Sequence, residues 1–179
     1  RGAFSLTWEL TEAVRLDDLI LLPKRIQQAD GKVRAFGFPR KSRLILSESG
    51  TFDGELREIP LVTRRDDDFS GFPLRVELDG KPTRAWRWVV DEPYALYRIR
   101  YLAISEVFAV SGDENVAPEA ALSWSSSFLP DDSMRPEFLS DEKTPLGLPL
   151  IRERTSVLGY HSARAPLSRS DEEWIELRW

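Results

Sequence analysis

Phe4-Ser5-Leu6-Thr7-Trp8-Glu9-Leu10 alternates apolar and polar side chains, and the alternation returns in Trp174-Ile175-Glu176-Leu177-Arg178-Trp179. Period two is the spacing of a half-buried β-strand, with one face on a core and the other in water. Trp8-Glu9-Leu10 echoes Trp174-Ile175-Glu176-Leu177, so strands of one kind stand at both ends of the chain. Such a pair is expected of a segment cut from a repeating array, or of a domain whose strand order is rotated. The chain opens with Arg1 rather than Met, which fits excision or processing.

Between these ends strand signals dominate. Val14 to Leu22 is rich in β-branched and Leu residues and stops at Pro23, and Arg43 to Ser47 is a short apolar run closed by Glu48-Ser49-Gly50. Leu74, Val76 and Leu78 alternate with Arg75 and Glu77 before the turn signal Asp79-Gly80. Ala85 to Val90 is aromatic and β-branched. Its Trp86 and Trp88 fall on one face with Arg87 opposite, which places both tryptophans in a core, as for Trp8 and Trp174. Tyr97 to Tyr101 alternates again, and Ile104 to Val110 reads as a strand before Ser111-Gly112-Asp113. Ser170-Asp171-Glu172-Glu173 could open a helix as a capping box, yet the residues after it alternate at period two and read as a strand. Residues 111–170 are rich in Ser, Pro and Asp, and so long a structureless stretch is uncommon in a packed domain. Short strands and functional loops are expected there. Short strands punctuated by 12 Pro and 10 Gly predict an all-β sandwich or barrel.

Composition excludes several function classes. The 179 residues are 41% hydrophobic and 31% charged, ordinary for a chain with a real core. A formal charge of −5 argues against a nucleic-acid or anionic-membrane surface, where a clustered positive field supplies most of the binding. The absence of Cys rules out disulfides and thiolate metal sites, and the single histidine, His161, rules out a multi-histidine zinc site. No run approaches the ~20 apolar residues of a membrane-spanning helix.

Three stretches resemble the galactose-binding-like β-sandwiches of the discoidin (coagulation factor type C) family, as found in modules of large exported bacterial proteins. Tyr97-Arg98-Ile99-Arg100-Tyr101 followed by Ile104-Ser105-Glu106-Val107-Phe108 is similar to that family's last two strands. Asn115-Val116-Ala117 and then Ser123 to Ser127 resemble its opening segment. Trp174-Ile175-Glu176-Leu177 resembles its Trp-Ile-Glu strand, with Trp8-Glu9-Leu10 and Leu19 to Pro23 similar to the continuation. Here the family's second half (1–110) precedes its first half (113–179). The resemblance therefore implies either parts of two tandem modules or one circularly permuted sandwich. A half-sandwich would expose an apolar sheet face and open strand edges, which favours one sandwich spanning 1–179.

Catalysis finds little support. No Gly-x-Ser-x-Gly elbow surrounds any serine, and a Ser-His-Asp arrangement has only His161 to draw on. The acids at Asp17-Asp18, Asp66-Asp67-Asp68, Asp131-Asp132 and Asp171-Glu172-Glu173 sit between strands, where such runs are usually solvated turns rather than a glycosidase pair. Phe36-Gly37-Phe38-Pro39 is a turn and no phosphate loop. Acid-rich loops do supply the oxygen ligands calcium prefers. The resemblance nominates Asp141 and Thr144 for a structural calcium ion, although Asp141-Glu142-Lys143-Thr144 lacks the Gly of the family's loop. Sugar recognition sets aromatic faces against C–H surfaces and uses Arg, Asp, Asn or His for hydroxyls. Tyr160, His161 and Arg164 form a polar-aromatic loop cluster of that kind, and Trp124 flanks Ser125-Ser126-Ser127.

The expectation is thus an all-β, jelly-roll-like antiparallel β-sandwich of permuted order, acting without catalysis in an exported, extracytoplasmic setting. Its expected role is carbohydrate binding as an accessory module of a larger protein. The expected partners are a glycan or cell-surface polysaccharide and neighbouring domains. An adhesion or spacer module without sugar binding is the alternative. The expected core comprises Leu6, Trp8, Leu10, Leu19, Leu21, Leu44, Leu46, Val76, Ile99, Val107, Ile175 and Leu177.

Overall fold

In the computed structural model, which describes residues 4–27, 33–63, 73–96, 99–125 and 136–141, the opening alternation is the first strand. In chain order the strands are β1 (Phe4–Arg15), β2 (Asp18–Pro23), β3 (Arg25–Gln27), β4 (Val33–Ala35), β5 (Lys41–Ser47), β6 (Arg57–Val62) and β7 (Leu74–Glu77). They continue with β8 (Pro82–Glu92), β9 (Tyr94–Leu96), β10 (Ile99–Tyr101), β11 (Ile104–Ser111), β12 (Glu114–Asn115) and β13 (Ala121–Trp124). Among the described residues the only helical pieces are 3-10 turns at Ala117–Glu119 and Pro136–Ser140. A five-stranded sheet, in the order β13-β1-β8-β5-β6, packs on a four-stranded sheet in the order β12-β11-β2-β7. Every pairing is antiparallel, and two-stranded ribbons β3–β4 and β9–β10 accompany the sandwich.

Register explains where the core sits. In the larger sheet Leu122, Trp8, Trp86 and Leu46 fall in one cross-strand row, and Trp124, Leu6, Trp88, Leu44 and Ile59 in the next. Alternate residues share a face, so both rows point at the second sheet and meet Leu19 and Leu21 of β2, Val76 of β7 and Val107 and Ala109 of β11. Trp8 and Trp86 stack with ring centroids 6.0 Å apart and planes within 8°, and Phe38 packs on Trp88 at 5.7 Å. Burying each such side chain contributes on the order of 1.5–3 kcal/mol. Leu6, Trp8, Leu10, Leu19, Leu21, Leu44, Leu46, Val76 and Val107 are buried as expected. Ile99 lies in β10 without a described side chain, and Ile175 and Leu177 lie outside the described residues.

One expectation is corrected. Val14 to Leu22 is not one strand: β1 runs to Arg15, the chain turns at Leu16-Asp17, and β2 begins at Asp18 in the other sheet. The corner is held by Asp17, whose N–H donates to Val110 O (2.8 Å) while its own carbonyl accepts from Leu78 N (2.7 Å). Its carboxylate accepts from Gly112 N at 2.8 Å. Residues 114–125 belong to the same sandwich, because β12 pairs with β11 and β13 pairs with β1. The segment 136–140 packs against β11 and β13, so it lies on the side where these two strands of opposite sheets approach.

Candidate functional site

Several charged side chains on the outer faces of the described strands are engaged with one another. Arg43 bridges Asp91 (3.1 Å) and Glu58 (3.3 Å), and attraction to Asp91 is the main cause of its raised pKa. The Arg87 guanidinium lies 3.8 Å from the Phe52 ring centroid and its Nε donates to Thr7 Oγ1 at 2.9 Å. On the second sheet Arg75 clasps Asp18 with two hydrogen bonds of 2.7 and 2.8 Å. That hydrogen bonding holds the Asp18 carboxyl below its ordinary pKa. Arg57 bonds Asp79, Thr83 and the Pro82 carbonyl, tying the β7–β8 connection to β6. These contacts pair opposite charges and stiffen the faces.

The β13 side differs. Among the described strands Trp124 ends a row whose inner members, Leu6, Trp88 and Leu44, are buried, and it is 39% exposed. Ser5 and Ser125 fasten this end of β13 to β1, Ser125 N donating to Ser5 O (3.0 Å) and Ser5 N to Ser125 Oγ (2.9 Å). The adjoining 3-10 turn presents Phe138, 43% exposed, while Leu139 beside it packs on the core. Leu122 of β13 is also partly buried against that core. Two exposed aromatic residues thus sit on adjoining elements at one margin of the sandwich. Val62, another large exposed apolar residue, lies on β6 at the opposite edge.

Of the residues nominated from sequence, Trp124 stands at this margin and Asp141 follows the 3-10 turn, half-buried. Thr144, Tyr160, His161 and Arg164 lie outside the described residues. No group of three or more Asp, Glu, His or Cys side chains suited to a metal ion occurs among the described residues. Nor does any helix among them have the length and apolarity to cross a membrane. Phe138 was not anticipated. It falls in Pro136-Glu137-Phe138-Leu139, too short for periodicity to assign a face, and only Pro136 hints at a helical start.

No protein-family model matches the chain, and comparison with curated proteins and with solved structures gives no match either. What stands of the expected resemblance is the coarse architecture alone, an all-β antiparallel sandwich of two sheets, and no family is assigned.

Proposed function

We propose that this protein is a non-catalytic carbohydrate-binding domain serving as an accessory module of a larger exported protein. The observation that carries the reading is the pair of exposed aromatic side chains, Trp124 and Phe138, on adjoining elements at the β13 margin. Leaving such rings in water is a standing cost that a ligand with apolar C–H faces relieves, and a sugar ring offers those faces with hydroxyls around its rim. Tyr160, His161 and Arg164 are the hydroxyl-binding candidates of this proposal. Its partners are a glycan or surface polysaccharide and the neighbouring domains. A structural calcium ion at Asp141 and Thr144 belongs to the same reading, with a calcium-dependent rise in melting temperature as its readout.

A second reading, adhesion to a protein, is favoured by β13, the uncharged strand that ends the larger sheet among the described residues, since such edges accept strands from partners. A glycan array probed with the full chain separates the two. Saturable binding to one class of polysaccharide supports the first reading. An array without binders, together with retained attachment to a protein surface, supports the second.

A further inference from the structure

Asp-Gly occurs at Asp30-Gly31, Asp53-Gly54 and Asp79-Gly80. In this dipeptide the side-chain carboxyl is open to attack by the next main-chain nitrogen, because glycine has no side chain to crowd the ring that forms. The first copy lies outside the described residues, and the fold treats the other two differently. Asp79 is held on both oxygens. One accepts from Arg57 Nη1 and from the Lys81 N–H (3.3 Å), and the other pairs with Lys81 Nζ at 3.1 Å. Asp53 stands exposed in the bend between β5 and β6, beyond the hydrogen bonds that fix Ser47, Ser49, Gly50 and Thr51. Among the described residues no cation pairs with its carboxyl. Gly54 is exposed as well, lies outside the positive-φ region, and has no atom within 4 Å of a Cβ built on it. Neither packing nor backbone conformation calls for glycine at position 54, and the space around the peptide bond is open for a ring to close.

We propose that Asp53-Gly54 is a site of spontaneous isoaspartate formation, a covalent self-modification that the fold permits here and blocks at Asp79-Gly80. The Gly54 nitrogen attacks the side-chain carboxyl carbon of Asp53. Its proton and the carboxyl hydroxyl leave as water, and a cyclic succinimide forms. Water then opens the ring at the original main-chain carbonyl of Asp53. The chain is left linked through the side-chain carbon, with the former main-chain carbonyl as a free carboxylate. One water is lost and one regained, so the composition is unchanged and no oxidant or co-reactant is needed. Because the carboxyl must lose its hydroxyl, it reacts in the protonated form, and the ion-paired carboxylate of Asp79 is held in the other. The new linkage lengthens the main chain by one carbon directly after Phe52, whose ring lies 3.8 Å from the Arg87 guanidinium carbon, so the modification alters the loop that seats this ring on β8. The proposal involves no ligand and stands independently of the function proposed above.

Incubating the full chain at about pH 5, where a free Asp carboxyl is partly protonated, and then digesting it with trypsin tests the proposal. Isoaspartate is read as a product of unchanged mass and shifted retention that an endoproteinase cutting before Asp no longer cleaves. In the folded chain the peptide Leu44–Arg57 should accumulate it several times faster than Val76–Arg84. In urea the two peptides should react at similar rates, because the contacts that hold Asp79 are gone. Gly54→Ala should slow the first peptide several-fold while the urea midpoint shows the fold intact, since the added methyl crowds ring closure and touches nothing else. No isoaspartate at Asp53 in the folded chain overturns the site, as does accumulation undiminished in Gly54→Ala. An Asp79 peptide that keeps pace in the folded chain, or a rate difference that persists unchanged in urea, overturns the role given to the fold.

Discussion

Gly37 joins the segment after β4 to the one before β11, and its replacement separates two physical effects that usually arrive together. Its φ is +73°, a region that an alanine enters at a cost of about 1–2 kcal/mol. A Cβ placed there would also stand 2.6 Å from Ala103 Cβ and 3.0 Å from Ala103 N, whose N–H donates to Gly37 O at 2.9 Å. Apolar carbons rest at ~3.5–4.0 Å, so this overlap must be relieved by moving backbone, an overpacking cost of about 1–3 kcal/mol. Gly112 has nearly the same φ, +61°, with no atom within 4 Å of the added Cβ. Gly54 has an equally open site without the positive φ. Gly54→Ala should therefore be neutral or stabilising by up to ~1 kcal/mol, Gly112→Ala destabilising by about 1–2, and Gly37→Ala by about 2–5. Urea unfolding at equal m-values reads the series as successive falls in midpoint. Equal losses for Gly37→Ala and Gly112→Ala would show that the Ala103 segment yields without cost, and would refute the close approach as the reason for glycine at position 37.

Other expectations follow from the core and the faces. Leu44, fully buried between Trp88 and Ile59 in register, should lose about 2–5 kcal/mol as Leu44→Ala in the same unfolding assay. Trp86→Phe should cost less than that despite the larger side chain, because the buried Trp86 indole N–H has no acceptor among the described residues and its removal recovers about 1–3 kcal/mol of desolvation. The Asp18–Arg75 pair stabilises the folded state while Asp18 is ionised. Its folded pKa lies below the ordinary 3.8, so the contribution is complete above that value and fades as pH falls through the lowered one. The stability gap between the native chain and Asp18→Asn should accordingly be constant from pH 7 to about 5 and shrink below pH 3.8, measured by urea midpoints at each pH.

Much of the fold was legible because alternation survives wherever a strand has one dry face. Trp86, Trp88 and Val90 against Arg87 is such a case, and the same pattern placed Leu6, Trp8 and Leu10 in the core. Where both faces are covered the period blurs, although Ile104 to Val110 still reads as a strand; where the chain changes sheets, legibility failed. Leu21, Leu22 and Pro23 are buried in succession, and Glu106 beside Val107 is fully buried, so neither stretch shows a clean period. The corner at Leu16-Asp17 lies inside an apolar run and depends on backbone partners distant in sequence, Leu78 and Val110, which no local pattern reveals. A register shift between Glu9 and Val14 likewise resets the alternation of β1 after Leu10. At the candidate site, Trp124 could be singled out as an aromatic beside serines, but its exposure follows from the edge position of β13, a property of sheet order. Phe138 joins it only through tertiary packing.

The central claim, that ligand binding is centred on the aromatic β13 margin, is tested most directly by locating the binding energy. Titrating the full chain and its Trp124→Ala, Phe138→Ala and Val62→Ala variants against the strongest array polysaccharide compares both margins of the larger sheet. All three side chains are exposed, so the variants should keep the fold. The account predicts a loss of roughly tenfold or more in affinity for Trp124→Ala and Phe138→Ala, each ~1.4 kcal/mol or greater, with Val62→Ala unchanged. Undiminished affinity in both aromatic variants would contradict it and move the binding surface elsewhere on the chain.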